Sequence, residues 1–184
     1  MLHSPAVWTR RRFLRAGLIG GVLLGGAAVV GRSLSGYSVD AAVARRLRVL
    51  SPKEYLVMQA VARRVLAPDA PGERDAPSAD QVEVALAVDA YLAKLPPEVV
   101  RDVRALLQLV EHGSSLFRFG GTRFTRLSDA ERDATLEDWA RSSLTVRRRG
   151  FQALRTLAFL GYWRDDRTWS LLGYSGPMLP KRPG

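Results

Sequence analysis

The chain has no cysteine and only two histidines, His3 and His112, among its 184 residues. Without cysteine it forms no disulfide, no thiolate zinc site and no iron–sulfur cluster, and it lacks the sequence for covalent haem attachment. A single histidine outside the N-terminal segment cannot build a typical metal site. The Gly-Gly pair at 120–121 lacks the lysine and the hydroxyl residue of a phosphate-binding loop. The sequence therefore predicts no cofactor or metal bound by this chain and no catalytic residues.

The first 36 residues contain no acidic residue and have the pattern of a twin-arginine (Tat) export signal. Arginines, two hydrophobic residues and a further basic residue stand in the expected order: Arg10, Arg11, Arg12, Phe13, Leu14 and Arg15. The following run, 16–31, is uncharged and holds six glycines, which dilute its hydrophobicity and disfavour a rigid helix. A basic N-terminus leading into a buried core helix is the alternative, and the glycine content argues against it.

Tat export carries cargo that has already folded. We therefore expect this chain to reach the periplasm or cell envelope through the Tat translocase, either with its own cofactor or with a partner that holds one. Ser33-Leu34-Ser35 is a passable cleavage site, and we predict removal of the signal there. If the signal is retained, its uncharged run is about 24 Å long at about 1.5 Å per residue. That is shorter than the ~30 Å hydrocarbon core, so the run would act as a tilted or bilayer-thinning inner-membrane anchor.

Positive charge exceeds negative charge by ten, but the N-terminal segment accounts for half of this excess. The first 36 residues hold five arginines, which leaves 23 basic and 18 acidic residues in the rest of the chain. That modest excess does not require nucleic acid, and an exported protein meets none. We expect a basic face to help docking to an acidic partner or to an anionic membrane surface instead.

Helical periodicity and serine caps predict an all-α fold. Ser51, Ser78 and Ser128 each stand three residues before a glutamate or glutamine, which is the arrangement of a capping box. Apolar residues then recur at helical spacing, and no alternating pattern typical of a β-strand occurs. We predict a single irregular bundle of about five to six helices. The predicted segments are a signal sequence or anchor (1–36), a linker (37–50), the helical domain (51–177) and a flexible tail (178–184).

Individual positions carry further predictions. Gly113 and Gly161 are placed to end two helices, so His112 would lie in a last turn, where a cation complements the helix dipole. Asp89 falls on an otherwise apolar stripe, and we predict that it pairs with an arginine, with a peripheral position as the alternative. The arginines within 45–48 are expected to form a solvated face, with contact to a membrane surface as the alternative.

Aromatic side chains concentrate in two segments. The loop 114–127 alternates phenylalanines with arginines, and the C-terminal stretch places tyrosines and tryptophans among glycines and prolines. Exposed aromatic residues are common anchors of protein–protein interfaces. The predicted partner interface consists of Phe117, Phe119, Phe124, Tyr162, Trp163, Trp169 and Tyr174. The alternatives are that the phenylalanines fill the core or stack on nucleic acid, and that the C-terminal aromatics close the end of the bundle.

Three stretches of the chain carry a resemblance to a known family. They are LSPKEYLVMQAVARRVLAP, FGGTRFTRLSDAERDATLEDW and the C-terminal FQALRTLAFLGYWRDDRTWSLLGYSGP. Over roughly residues 50–177 the chain resembles subunit 3 of gluconate 2-dehydrogenase and its relatives. These small subunits escort glucose–methanol–choline (GMC) flavin oxidoreductases in the bacterial envelope. The last stretch, with its Gly-Tyr-x-Gly-Pro end, is the most specific of the three.

The resemblance implies a non-catalytic subunit. Members of the family typically carry the Tat signal while the large flavoprotein lacks one, so the small subunit brings its folded partner across the membrane. FAD is therefore expected on the partner subunit, and a cytochrome c subunit often completes such complexes as the electron acceptor. The family provides no catalytic residue to assign to this chain.

Two other classes of function stay open. An independent hydrolase or isomerase of the envelope would need paired carboxylates. The candidates are Asp165 with Asp166, and Asp69 with Glu73 and Asp75. Adjacent aspartates diverge on a helix, and Asp165 stands where a helix cap is expected. The other class is a lone envelope protein held at the membrane by its signal and by the arginines within 45–48.

Overall fold

The computed structural model describes residues 36–68, 76–117, 122–174 and 176. Across these ranges it contains helices and no β-strand, which confirms the predicted all-α fold. The elements are α1 (Ala41–Arg46), α2 (Pro52–Val65), α3 (Val84–Leu92), α4 (Pro97–Phe117), a first 3₁₀ helix (Phe124–Arg126), α5 (Asp129–Arg141), α6 (Thr145–Tyr162) and a second 3₁₀ helix (Asp166–Leu172). None of these helices is long and apolar enough to cross a membrane. The Tat motif, the predicted tail and the candidate carboxylates Asp69, Glu73 and Asp75 lie outside the described residues.

Local capping sets the start of α2 and α5, as predicted. Ser51 Oγ accepts the Glu54 N–H at 3.3 Å, while the Glu54 carboxylate accepts the Ser51 N–H at 2.8 Å. Ser128 and Glu131 form the same reciprocal pair at the start of α5. These bonds satisfy backbone N–H groups that the beginning of a helix leaves without a partner.

The third predicted capping box forms, but it does not start the α-helix. The Ser78 N–H donates to Gln81 Oε1 at 2.6 Å, and the Gln81 N–H donates to Ser78 Oγ at 3.3 Å. Residues 79–83 then form a turn, in which Glu83 adopts a left-handed backbone with φ of +51°. Because this conformation interrupts the helical backbone, α3 begins only at Val84.

Helix α2 forms the centre of the core. It packs against α3, α4, α5 and α6 and against the first 3₁₀ helix. Val57, Met58 and Val61 of α2 are fully buried, together with Leu107 of α4 and Leu154 of α6. Burial of one such side chain contributes about 1.5–3 kcal/mol to folding, so apolar contact with α2 holds the other helices in place.

Of the two glycines predicted to end helices, Gly113 lies inside α4, so that prediction is wrong, whereas Gly161 is the second-last residue of α6 and lies one residue from the observed end. Helix α4 continues past Gly113 to Phe117, and α6 includes Gly161. A Cβ atom added at Gly161 would lie 2.9 Å from Val84 Cγ1 and 3.0 Å from the Val84 carbonyl oxygen. Glycine is required here because α3 and α6 approach each other too closely for a side chain.

His112 is therefore not in the last turn of its helix, and its predicted role at the helix dipole is wrong. Its Nε2 lies 2.8 Å from Nζ of Lys53 on α2, where the ammonium group donates and the ring accepts. Burial, and then the nearby Lys53 charge, lower the pKa of His112. The imidazole is thus held in its neutral form between two helices.

The buried carboxylate of Asp89, only 1% exposed, is bonded to backbone groups and not to an arginine side chain as predicted. It accepts the N–H groups of three successive residues, Arg48 at 2.7 Å, Val49 at 3.0 Å and Leu50 at 2.8 Å. The segment 37–50, predicted as a linker, contains α1 and ends in a turn fixed to α3 by these bonds.

Candidate functional site

The end of α6 and the second 3₁₀ helix bring together four of the aromatic residues predicted for the interface. Asp165 caps the 3₁₀ helix by accepting the Arg167 N–H at 3.1 Å. Buried Thr168 donates its hydroxyl to the carbonyl oxygen of Tyr162 at 3.2 Å. These bonds fold the 3₁₀ helix back against the end of α6. The four residues thus placed close together are Tyr162, Trp163, Trp169 and Tyr174.

Two contacts fix the orientation of Trp169. Its indole Nε1 donates to the carbonyl oxygen of Trp163 at 2.9 Å. Its ring lies 5.3 Å from the ring of Tyr174, at an interplanar angle of 55°. Gly173 lets the chain turn so that Tyr174 reaches Trp169, because its φ of +64° lies in the left-handed region that glycine adopts readily. Tyr174 nevertheless remains 47% exposed, so its ring is held in place and accessible.

Apolar side chains continue this surface along α6. Leu160 is 50% exposed, and Phe159 and Trp163 are half-buried. The guanidinium of Arg155 lies over the Phe159 ring, 5.4 Å from its centroid, as a cation–π contact. These four side chains line one open groove on α6. The name "aromatic face" is used below for Phe159, Leu160, Trp163, Trp169 and Tyr174.

The remaining predicted interface residues do not contribute to the aromatic face. Phe124 of the first 3₁₀ helix is 0% exposed and belongs to the core. Tyr162 is 6% exposed, and its hydroxyl donates to the carbonyl oxygen of Pro77 at 2.9 Å. Both side chains are therefore closed to a partner in this structure. Phe119 and the side chain of Phe117 lie outside the described residues.

Phe159 and Leu160 of α6 were not among the residues predicted for the interface. Leu154 and Leu157 are buried. At about 100° per residue, Phe159 and Leu160 fall on the opposite side of α6, with Trp163. A helix that is apolar on two sides indicates a second contact surface, and that signal was present in the sequence.

Asp165 has a structural role. Besides capping the 3₁₀ helix, it forms an ion pair with Arg167 at 2.7 Å. Hydrogen bonding to Arg167 lowers the pKa of Asp165, whereas a general acid that works near neutral pH needs a raised carboxyl pKa. Within the described ranges, no group of three or more His, Asp or Glu side chains is arranged to hold a metal ion.

The family model of gluconate 2-dehydrogenase subunit 3 matches residues 52–176 of this chain. The chain belongs to this family. The match starts at the first residue of α2 and extends through the whole aromatic face, and it confirms the resemblance predicted from the sequence. No curated protein and no solved structure matches the chain significantly. Membership of the subunit 3 family is consistent with an accessory role in a dehydrogenase complex.

Proposed function

We propose that this chain is the non-catalytic small subunit of a GMC-type flavin dehydrogenase, and that it escorts the folded complex out of the cytoplasm. Membership of the subunit 3 family supports a place in a dehydrogenase complex. The aromatic face is the observation that carries the proposal further, because it offers a partner the groove with Phe159, Leu160 and Trp163 and, joined to it through the Trp163 carbonyl, the ring pair of Trp169 and Tyr174.

A surface of this kind binds strongly when its aromatic side chains leave water. Tryptophan and tyrosine are enriched among the residues that dominate binding free energies at interfaces. Trp169 is already held by its bond to Trp163 and by the ring of Tyr174, so little side-chain freedom is lost on binding. In this proposal the large flavoprotein subunit holds FAD and covers the aromatic face.

The export part of the proposal depends on the N-terminal sequence. The residues that would engage the Tat translocase are Arg10, Arg11, Arg12, Phe13 and Leu14. The flavoprotein would cross into the periplasm already folded and bound to this chain. Retention of the uncharged run would leave the complex attached to the inner membrane, where a cytochrome c subunit could accept its electrons.

A pull-down of the tagged full-length chain from its native envelope tests the association. We expect a large oxidoreductase subunit to co-elute, with the visible spectrum of an oxidised flavin and with mass spectrometry identifying a GMC-type sequence. A colourless single species under gentle extraction would contradict the proposal and would leave an independent envelope protein as the better explanation.

Tyr174→Ala tests the aromatic face itself. Tyr174 is exposed, so its removal should weaken capture of the flavoprotein while the melting temperature of the chain stays unchanged. Tyr91→Ala is the matched control, because Tyr91 of α3 is exposed to a similar degree, 42%, and lies outside the aromatic face. Loss of stability without loss of partner binding in Tyr174→Ala would show that the ring only closes the end of the bundle.

Export is tested with the triple substitution Arg10→Lys, Arg11→Lys and Arg12→Lys, which keeps the charge of the motif. If this chain carries its partner, both the chain and the flavoprotein should accumulate in the cytoplasm, still bound to each other. A flavoprotein that reaches the periplasm without the signal of this chain would exclude the escort role and leave the subunit role intact.

A further inference from the structure

A second groove, distinct in character from the aromatic face, lies beside the end of α6. It has a volume of about 600 Å³ and runs between α1 with the turn after it, the start of α3, and the residues that follow α6. Apolar residues such as Leu86 and Ala87 form part of its wall, and five arginines surround it. These are Arg45, Arg46, Arg48, Arg164 and Arg167, and the name "arginine groove" is used for the site they line.

Two of the five guanidinium groups are fixed by carboxylates of the groove. The two terminal guanidinium nitrogens of Arg46 donate to the two carboxylate oxygens of Glu83, at 2.5 and 2.6 Å. This pair joins α1 to the start of α3. Arg167 bonds Asp165 at 2.7 Å and also donates to the Gln81 carbonyl oxygen at 2.9 Å. These bonds hold the walls of the groove in place.

Three of the five arginines form no ion pair with the two carboxylates of the groove. Among the described residues, its ion pairs are Arg46–Glu83 and Arg167–Asp165. Arg45, Arg48 and Arg164 are exposed and form no such pair. The arginine groove is lined by five arginines against two carboxylates, and arginine stays charged at every physiological pH. A concave site lined by charge of one sign focuses this field, so it attracts an anionic ligand.

The arginine groove also meets the aromatic face. Arg164 lines both the arginine groove and the open groove on α6 that contains Leu160 and Trp163. A protein that covers the aromatic face would therefore extend over Arg164 into the arginine groove. A peptide segment can enter a concave site and place carboxylates against guanidinium groups in bidentate pairs, whereas the flat surface of a bilayer cannot follow its floor.

We propose that the arginine groove binds an acidic segment of the same flavoprotein that covers the aromatic face. This inference rests on the proposed function. Aspartate or glutamate side chains of the segment pair with Arg48 and Arg164. The charges steer the two subunits together and set their orientation, and the aromatic face supplies apolar contact area.

Charge reversal at two of the unpaired arginines tests the site. The variant is Arg48→Glu with Arg164→Glu in the full chain, and the dissociation constant for the purified flavoprotein is measured from low to high salt. Its matched control is Arg101→Glu with Arg149→Glu, which makes the same change of net charge at exposed positions outside the groove. Circular dichroism and thermal melting establish that both variants are folded. Arg48→Gln and Arg164→Gln are measured singly as milder substitutions.

We expect the groove variant to bind the flavoprotein at least about tenfold more weakly at low salt, with a flatter dependence on salt, while the control stays near wild type. Wild-type affinity and salt dependence in the groove variant would overturn the inference. Co-sedimentation with phosphatidylglycerol vesicles tests whether the groove binds a membrane surface instead of the flavoprotein. If the groove variant loses only vesicle binding, the groove serves a membrane surface and the inference is wrong. Failure of the wild-type chain to bind any flavoprotein would refute the proposed function, and the inference with it.

Discussion

The buried carboxylate of Asp89 accepts the backbone N–H of Leu50 at 2.8 Å, and it accepts those of the two preceding residues as well. One side chain of α3 thereby fixes the turn that joins α1 to α2. That turn carries Arg48, so the position of the arginine groove depends on a residue that lies inside the core.

Asp89→Ala should lower the free energy of unfolding by about 3 kcal/mol, because it leaves three backbone N–H groups without their charged acceptor. Asp89→Asn keeps one acceptor oxygen and should lose about half as much. Denaturant unfolding measures both. Asp102→Ala, at an exposed position of α4, is the control and should change stability by less than about 0.5 kcal/mol. Equal stability of Asp89→Ala and the control would show that water replaces the carboxylate.

Alanine substitutions at two helical glycines should have opposite effects. At Gly161 the new Cβ would meet Val84 Cγ1 at 2.9 Å and the Val84 carbonyl oxygen at 3.0 Å, so α3 and α6 must move apart. At Gly113 it would lie 3.6 Å from Trp139 Cζ2, an ordinary contact.

We therefore expect Gly161→Ala to lose about 1–3 kcal/mol of stability. Gly113→Ala should be neutral or gain up to about 1 kcal/mol, since alanine favours a helix more than glycine does. Thermal melting with calorimetry compares the two variants directly. A destabilised Gly113→Ala would mean that the indole of Trp139 cannot adjust to the added methyl group.

The lowered pKa of His112 predicts a loss of stability in mild acid. In the folded chain, burial and the Lys53 charge keep the imidazole neutral, whereas the unfolded chain takes up a proton below about pH 6.5. At pH values between the pKa of His112 in the folded chain and its higher pKa in the unfolded chain, the unfolded state binds more protons. The free energy of unfolding therefore falls as the pH falls.

His112→Gln keeps a side-chain acceptor for Lys53 and does not titrate. Its melting temperature should resemble that of the wild type at pH 8 and should fall less between pH 7 and pH 5. A series of melting curves across this range makes the comparison. Parallel curves for the two proteins would assign the acid sensitivity to other groups.

The left-handed backbone of Glu83 predicts a difference between two amide variants. Both Glu83→Asn and Glu83→Gln remove the carboxylate that binds Arg46. Asparagine tolerates φ near +51° better than other residues with a side chain. Glu83→Asn should therefore be more stable than Glu83→Gln by about 0.5–1 kcal/mol in denaturant unfolding. The reverse order would show that the turn changes its conformation once the ion pair is gone.

Features that depend on a few neighbouring residues could be predicted from the sequence. The serines at 51 and 128 cap their helices through partners three residues away, and helical periodicity alone is enough for the all-α fold. The family resemblance also rests on the linear order of motifs, and it is confirmed. Trp163, Trp169 and Tyr174 were predicted for an interaction surface, and the structure leaves them accessible to different degrees.

The predictions that failed concern residues whose roles depend on distant parts of the chain. Gly113 has the local pattern of a helix stop, but α4 continues past it, and a Cβ atom there would lie in ordinary contact with Trp139 of α5. Tyr162 and Trp163 are neighbours in the sequence, and a rotation of about 100° along α6 turns one into the core and leaves the other on the surface.

The sequence by itself determined the fold class, the family and the starts of α2 and α5, because short-range hydrogen bonds and periodic burial act within one element. Only the tertiary structure decided that Asp89 binds the backbone and that five arginines from α1, the turn after it and the residues that follow α6 line one groove. The physical reason is that helix packing brings together residues that are far apart in the chain. Which of these residues touch depends on how the helices cross, and the order of residues in the sequence does not specify it.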